Sequence, residues 1–215
     1  MSLLVYSHKN QVMSFAITTV GWIFSMTSMG LAEWRLWYVD NSSAFPTGLA
    51  TVGMWKVCTY HHANYYKTHM KCHRYAYSDA YLPLDVRVAQ NLLLASSILG
   101  LLGKVLIVLG LGNVYLGHLQ KNATWTLFIA SGALNITAGV ALAVTVIWNY
   151  HAVMSREGID FPAAFNIPFR PDRQEPGSAV PVAVLAAFMM VLSGLLSLSY
   201  QLPPDSQVYP EAAEA

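Results

Sequence analysis

The chain has 215 residues, 55% of them hydrophobic and only 11% charged, with a net charge of +1 and a mean hydropathy of +0.41. A soluble domain carries roughly 25% charge, so this composition excludes a water-soluble globule, and it equally excludes a disordered chain, collagen and a disulfide-dense mini-protein. The near-zero net charge supplies no basic field for nucleic acid, and two cysteines, Cys58 and Cys72, are too few for a four-cysteine zinc site or an iron–sulfur cluster.

Four stretches are long and apolar enough to cross a hydrocarbon core of roughly 30 Å, which takes about 20 residues. The first, 12–32, carries no charge and exceeds the apolar run of a cleavable signal peptide. A long loop, 33–87, follows. The second span, 90–114, is interrupted only by Lys104. A charge inside a span is expensive, and this one is expected to snorkel toward the inner face. A short connection leads to the third span, 124–148, and a medium loop, 149–176, to the fourth, 177–200; neither span is charged. An acidic, proline-bearing tail, 201–215, is expected to be disordered. The whole chain reads as one tetraspan domain with both termini on one side. Ser96, Ser97, Gly100, Gly103, Gly110, Gly112, Gly132 and Gly139 are small enough to let helices approach closely in lipid.

The long loop is too large for a simple connector. Residues 34–39, 50–52, 54–60 and 64–74 favour strands. Cys58 and Cys72 are spaced for neighbouring antiparallel strands, where a disulfide would contribute about 3 kcal/mol in the chain-entropy model; two free thiols are the alternative. Trp34, Trp37 and Trp55 lie near a membrane face, where indole is a common anchor; Trp37 is expected to act as one.

Orientation is contested within the sequence. Nine of the twelve Lys and Arg residues lie in the long and medium loops, and charge counting alone puts those loops in the cytoplasm. A disulfide would require an oxidising compartment instead. The glycosylation acceptors at Asn41 and Asn122 lie on opposite sides and cancel; a third, at Asn135, is inside a span.

Trp34, Gly53-Met54-Trp55, Cys58 and Cys72, in this order, resemble the first-loop signature of the claudin family. Leu82-Pro83-Leu84-Asp85-Val86 resembles the family's Leu-Pro-x-Asp-Leu before the second span. Trp148 closes the third span, and Asp160-Phe161 and Glu175-Pro176-Gly177 resemble its second-loop landmarks. The ordered set covers nearly the whole chain and is similar to a divergent claudin. The resemblance implies an all-α transmembrane four-helix bundle with a small antiparallel extracellular β-sheet, a Cys58–Cys72 disulfide, cytoplasmic termini, and both large loops outside. It implies a structural tight-junction protein of the plasma membrane, contacting lipid and copies of itself or other claudins in cis and in trans.

Several departures matter. The segment between the cysteines is longer than usual. The family's Arg at the second span aligns with Gln90, with Arg87 three residues earlier as a substitute. Asp79 stands where an apolar segment normally docks onto a neighbouring subunit, making it the candidate cis-assembly position. The terminus Ala212-Ala213-Glu214-Ala215 is not the hydrophobic carboxyl terminus that PDZ scaffolds bind, so scaffold anchoring is doubtful.

The loop chemistry is basic. Carried over by position, the pore-facing candidates are His61, His73 and Arg74, none of them acidic. A positive wall favours anions and repels cations, more so as pH falls through the histidine range. Phe161, Phe165 and Phe169 of the second loop are candidate trans-adhesion anchors, with packing on the sheet as the alternative. The four histidines at 61, 62, 69 and 73 make a poor metal set, because adjacent strand residues point to opposite faces. No cofactor and no metal is expected. Without intraspan histidines, Cys-x-x-Cys, Gly-x-Ser-x-Gly, His-Glu-x-x-His or a phosphate loop, an enzyme is not expected either. A non-polymerising tetraspan that regulates a partner or modulates adhesion is the competing function.

Overall fold

The computed structural model describes residues 2–39, 48–64, 67–77, 79–116, 121–165 and 167–200, and of 2–8, 61–64, 67–69 and 121 the backbone alone. Asn41, Asn166 and the 201–215 tail with its doubtful scaffold terminus lie outside the described residues. Four helices are long and apolar enough to cross a membrane: α1 (Ser2–Gly30), α2 (Leu84–Tyr115), α3 (Lys121–Met154) and α4 (Ala179–Leu198). Each packs on two neighbours, in the cyclic order α1-α2-α3-α4, with α1 and α2 meeting least extensively.

Helix α2 begins well before Gln90. Pro83, extended at φ −67°, delivers the chain to the first turn, where Asp85 suits the helix N-terminus. At about 48 Å, α2 exceeds the hydrocarbon thickness, so its first turns stand in the layer of the sheet. α3 likewise runs beyond Trp148 to Met154.

One five-stranded antiparallel sheet caps the bundle: β1 (Arg35–Tyr38), β2 (Leu49–Val52), β3 (Lys56–Asn64), β4 (Lys67–Arg74) and β5 (Arg173–Pro176), in the order β4-β3-β2-β1-β5. Four strands come from the long loop. The fifth, Arg-Gln-Glu-Pro, lacks the β-branched and aromatic residues that mark a strand; it forms because β1 offers a free edge, pairing Trp37 with Gln174 and Tyr38 with Arg173. Pro176 ends the edge strand, where a missing N–H costs no ladder bond. The next residue, Gly177, lies so close to α1's exit that a Cβ would sit 2.1 Å from the Glu33 carbonyl.

Strand alternation divides the sheet into two faces. Arg35, Trp37, Ala50, Val52, Val57 and Gln174 point inward and are buried. The apolar core lies between this face and the sheet-side ends of the helices, where Trp34, Met54, Leu82, Val86, Leu93 and Phe161 meet it. Trp37 is therefore not an interfacial anchor: it is fully buried, with its ring edge-on to Phe161 at 5.8 Å. The β1 period that buries Arg35 buries Trp37 with it.

The bundle interior is unusually polar. Ser14 Oγ donates to the Ser193 carbonyl at 2.8 Å and lies 2.7 Å from Ser197 Oγ, joining α1 to α4. Thr18 Oγ1 donates to Asn135 Oδ1 at 2.8 Å, Asn135 Nδ2 donates to Ser131 Oγ at 3.3 Å, and Ser131 Oγ donates to the Gly103 carbonyl at 2.9 Å. This relay crosses α1, α3 and α2, and makes Asn135 an internal packing residue. Gly100, Gly103, Gly110, Gly132 and Gly139 all face neighbouring helices, whereas Gly112 faces open space. Lys104 does not reach inward as a snorkelling lysine would. Its ammonium lies over the Trp22 ring, 3.5 Å from the centroid.

Candidate functional site

The candidate site is the sheet and the second-loop segment folded beneath it. Its fixed point is the Cys58–Cys72 disulfide across β3 and β4, with Cα atoms 4.1 Å apart. That spacing marks a non-hydrogen-bonded antiparallel pair, the kind that brings side chains closest. Two residues toward the bundle, on the same face, Lys56 stands directly opposite Arg74. Like charges so placed repel, and the ion pairs among the described residues, Arg35–Asp85 and Arg173–Glu175, include neither of them. The same face carries Leu36, Tyr38, Tyr60, Met70 and the exposed Arg173–Glu175 pair.

The signature residues hold the sheet on the bundle. Trp34 is buried and donates Nε1 to the Ser28 carbonyl at 2.9 Å, fastening β1 to the end of α1. Gly53 lies against the α1 exit, where a Cβ would be 2.7 Å from Ala32 Cα; only glycine allows that approach. The Gly53 carbonyl accepts the Tyr75 hydroxyl, and the Trp55 carbonyl accepts the Tyr75 N–H at 3.3 Å. Tyr75 is buried, and that burial raises its phenol pKa far above the ordinary value.

Sequence reasoning missed the central anchor. Arg35, counted there only as a basic loop residue, points inward from β1. It donates Nη2 to Asp85 on α2 and Nε to Asn149 Oδ1 on α3 at 2.8 Å. Asn149 Nδ2 in turn reaches the Trp34 carbonyl at 3.4 Å. Arginine and aspartate are 2% and 7% exposed, so removing one partner would strand the other charge at a cost of about 3–5 kcal/mol. Period-2 alternation was the available signal, since it puts Arg35 on the same face as Trp37.

The three pore-facing candidates do not share a face. Arg74 is exposed on the disulfide face. His73, its neighbour, points the other way and stacks on Phe165 with ring centroids 4.3 Å apart. Burial, with Lys71 nearby, lowers the His73 pKa below 6.5. His61 pairs in register with His69 on β4, and its side chain is outside those described. No group of three metal-ligating side chains converges among the described residues.

The second-loop phenylalanines also separate. Phe161 is 6% exposed, packed against Trp37, Tyr75 and Tyr81, so it has no free ring face for trans adhesion. Phe165, partly buried, lies between His73 and Tyr81. Phe169 alone is well exposed, at 54%, with the Arg170 guanidinium 5.5 Å over it. Asp79 is turned into its own loop: Oδ2 accepts the Ala76 N–H at 2.7 Å and the Tyr81 hydroxyl at 2.8 Å. Arg87 and Gln90 are not equivalent. Arg87 Nη2 binds the Asp79 and Ala80 carbonyls, both at 3.0 Å, while buried Gln90 donates Nε2 to the Met54 carbonyl at 2.6 Å.

Comparison with known proteins agrees with this arrangement. The family model described as PMP-22/EMP/MP20/Claudin tight junction matches residues 19–199. Claudin-4 of Bos taurus and of Homo sapiens are each 27% identical over 195 residues, covering 90% of this chain and 87% of theirs. Claudin-19 of Homo sapiens is 27% identical over 187 residues, covering 86% of this chain and 77% of its own. With four span-length helices, a disulfide-locked antiparallel cap and a matching model across both, this chain belongs to the claudin family.

Proposed function

We propose that this chain is a cell-adhesion and paracellular barrier protein of tight junctions, set in the plasma membrane with its sheet outside and both termini in the cytoplasm. The disulfide supports that orientation, because such bonds persist in oxidising compartments. The opposing charge count loses weight once the loop cations are located. Arg35 is buried against Asp85, Arg173 pairs with Glu175, and Arg87 binds loop carbonyls.

The observation that carries an ion preference is the Lys56–Arg74 pair beside the disulfide. Two cations held side by side on the sheet's open face raise local anion concentration and exclude cations. His73 lies off that face, so the preference rests on permanent charge rather than on its titration. Copies of this chain or other claudins are the partners in cis and in trans, with Phe169 the exposed aromatic of the second loop.

Dilution potentials across epithelial monolayers expressing the chain test this. Chloride should be preferred over sodium, and Lys56→Glu with Arg74→Glu should reverse the sign. Sodium preference in the unmodified protein would overturn the reading. A specific observation also favours the competing function, a tetraspan that does not polymerise. Asp79 stabilises its own polar loop where the family presents an apolar docking segment.

A further inference from the structure

The four helices contain one strongly basic residue deep in the membrane and no acid to match it. Apart from Asp85 at the outer start of α2, none of the helices carries Asp or Glu. Lys104 stands about 21 Å along α2 from Gln90 and about 16 Å from Tyr115. Helical side chains lean toward the N-terminus of their helix, and the Lys104 ammonium follows that rule, rising to the Trp22 ring on α1. Trp22 is fixed there: its Nε1 donates to the Ser97 carbonyl at 2.9 Å, and a Cβ on Gly100 would lie 3.1 Å from its Cδ1. The ring thus covers one side of the ammonium and draws it toward the centre of the span rather than toward either helix end.

The other side opens onto a groove. Phe15 and Thr19 of α1 and Lys104, Val105, Val108 and Leu109 of α2 line a cavity of about 320 Å³ along the helix seam. Thr19 donates its hydroxyl to the Phe15 carbonyl of its own helix, which leaves the groove one neutral hydroxyl oxygen and no carboxylate. Val105, Val108 and Leu109 each remain about half exposed. Apart from that hydroxyl the wall is apolar, with one cation set in it. Ionisable groups in a membrane pair with one another or with backbone carbonyls. Here the described helices supply neither to Lys104, and a second copy would bring the same acid-free spans.

We propose that the α1–α2 groove at Lys104 is a docking site for a membrane-spanning helix of a partner protein that carries a single Asp or Glu near the bilayer middle. The apolar stripe of that helix fills the groove between Phe15 and Leu109. Its carboxylate accepts a hydrogen bond from Lys104 Nζ on the side that Trp22 leaves open. Charge complementarity selects the partner, since an all-apolar helix gains nothing from Lys104.

The test uses the full-length chain, donor-labelled, in phosphatidylcholine vesicles. The probe is an acceptor-labelled polyleucine transmembrane peptide with one central Asp. Energy transfer above that of random mixing is expected. It should weaken at least tenfold, in apparent dissociation constant, for the all-leucine peptide, for a peptide with its Asp moved to the helix end, and for Lys104→Leu. Lys104→Met is the second variant if the leucine form reconstitutes poorly. Equal transfer with the all-leucine peptide, or unchanged transfer with both Lys104 variants, overturns the proposal. So does displacement of the peptide by phosphatidylserine, which assigns the groove to a lipid headgroup, or by excess unlabelled chain, which assigns it to self-association.

Discussion

At the scale of single residues, the charges on the sheet do different work according to strand parity. Arg74 and His73 are adjacent, yet one lies in the open and the other under an aromatic roof. His73 couples the long loop to the second loop through its stack on Phe165. Its pKa is lowered, first by burial and then by Lys71, so the docked state favours the neutral ring. An undocked His73 binds a proton near pH 6.5, the docked one only at lower pH, so the contact is at full strength above 6.5 and weakens as pH falls below it. The Phe165 amide, which donates to the Pro162 carbonyl at 2.9 Å, reports on that turn. Its hydrogen exchange, corrected for intrinsic rate, should quicken several-fold between pH 7.5 and 5.5, and His73→Phe should abolish the dependence. An unchanged rate across that interval in the unmodified protein would show that the stack does not tie the loops together.

At the scale of elements, helix pairing depends on backbone proximity more than on hydrophobic bulk. α3 and α4 cross where Gly132 faces Gly194: a Cβ on Gly194 would lie 2.7 Å from the Gly132 carbonyl and 2.5 Å from Ile136 Cγ1. In lipid, such contact supplies the packing that the hydrophobic effect cannot. Gly194→Val should force the helices apart at an overpacking cost of about 1–3 kcal/mol, lowering the thermal midpoint in detergent. Gly112→Ala, with nothing within 4 Å of its Cβ, should leave that midpoint unchanged or slightly raised. The spans themselves were legible, because uncharged runs as long as 124–148 have few soluble alternatives. The four long-loop strands were legible through their aromatic and β-branched residues. β5 was not: Arg173–Pro176 has no intrinsic strand character and takes its form from β1. The Arg35–Asp85–Asn149 anchor was hidden for a related reason. Its three members lie far apart in the chain, and each looks like an ordinary surface polar residue until β1 is placed against α2 and α3. Lys104 was conspicuous as a lone charge, but its partner was not, since Trp22 belongs to another helix.

At the scale of the whole molecule, the question is whether copies join end to end. The architecture supplies a rigid platform: the sheet is bolted to α1 by Trp34, to α2 by Arg35 and Gln90, and to α3 through Asn149. A rigid cap favours ordered assembly, because little freedom is lost when copies align. The segment expected to join neighbours opposes it. Asp79 caps its own loop, with Tyr81 and the Ala76 amide as partners and Arg87 closing the same loop from α2. Exchanging Asp79 for an apolar residue therefore does two things at once: it presents a hydrophobe for docking and releases the loop that must hold it. Asp79→Leu alone is expected to loosen the loop without creating ordered contacts. Asp79→Leu with Tyr81→Phe, which removes the stranded hydroxyl as well, is the variant expected to gain assembly. Freeze-fracture of non-junctional cells, which supply no other claudin for the chain to join, distinguishes these outcomes: scattered particles for the unmodified chain and for the single variant, and continuous strands for the double variant. Continuous strands from the unmodified chain would show that the polar Asp79 loop does not block polymerisation, and that another surface joins the copies.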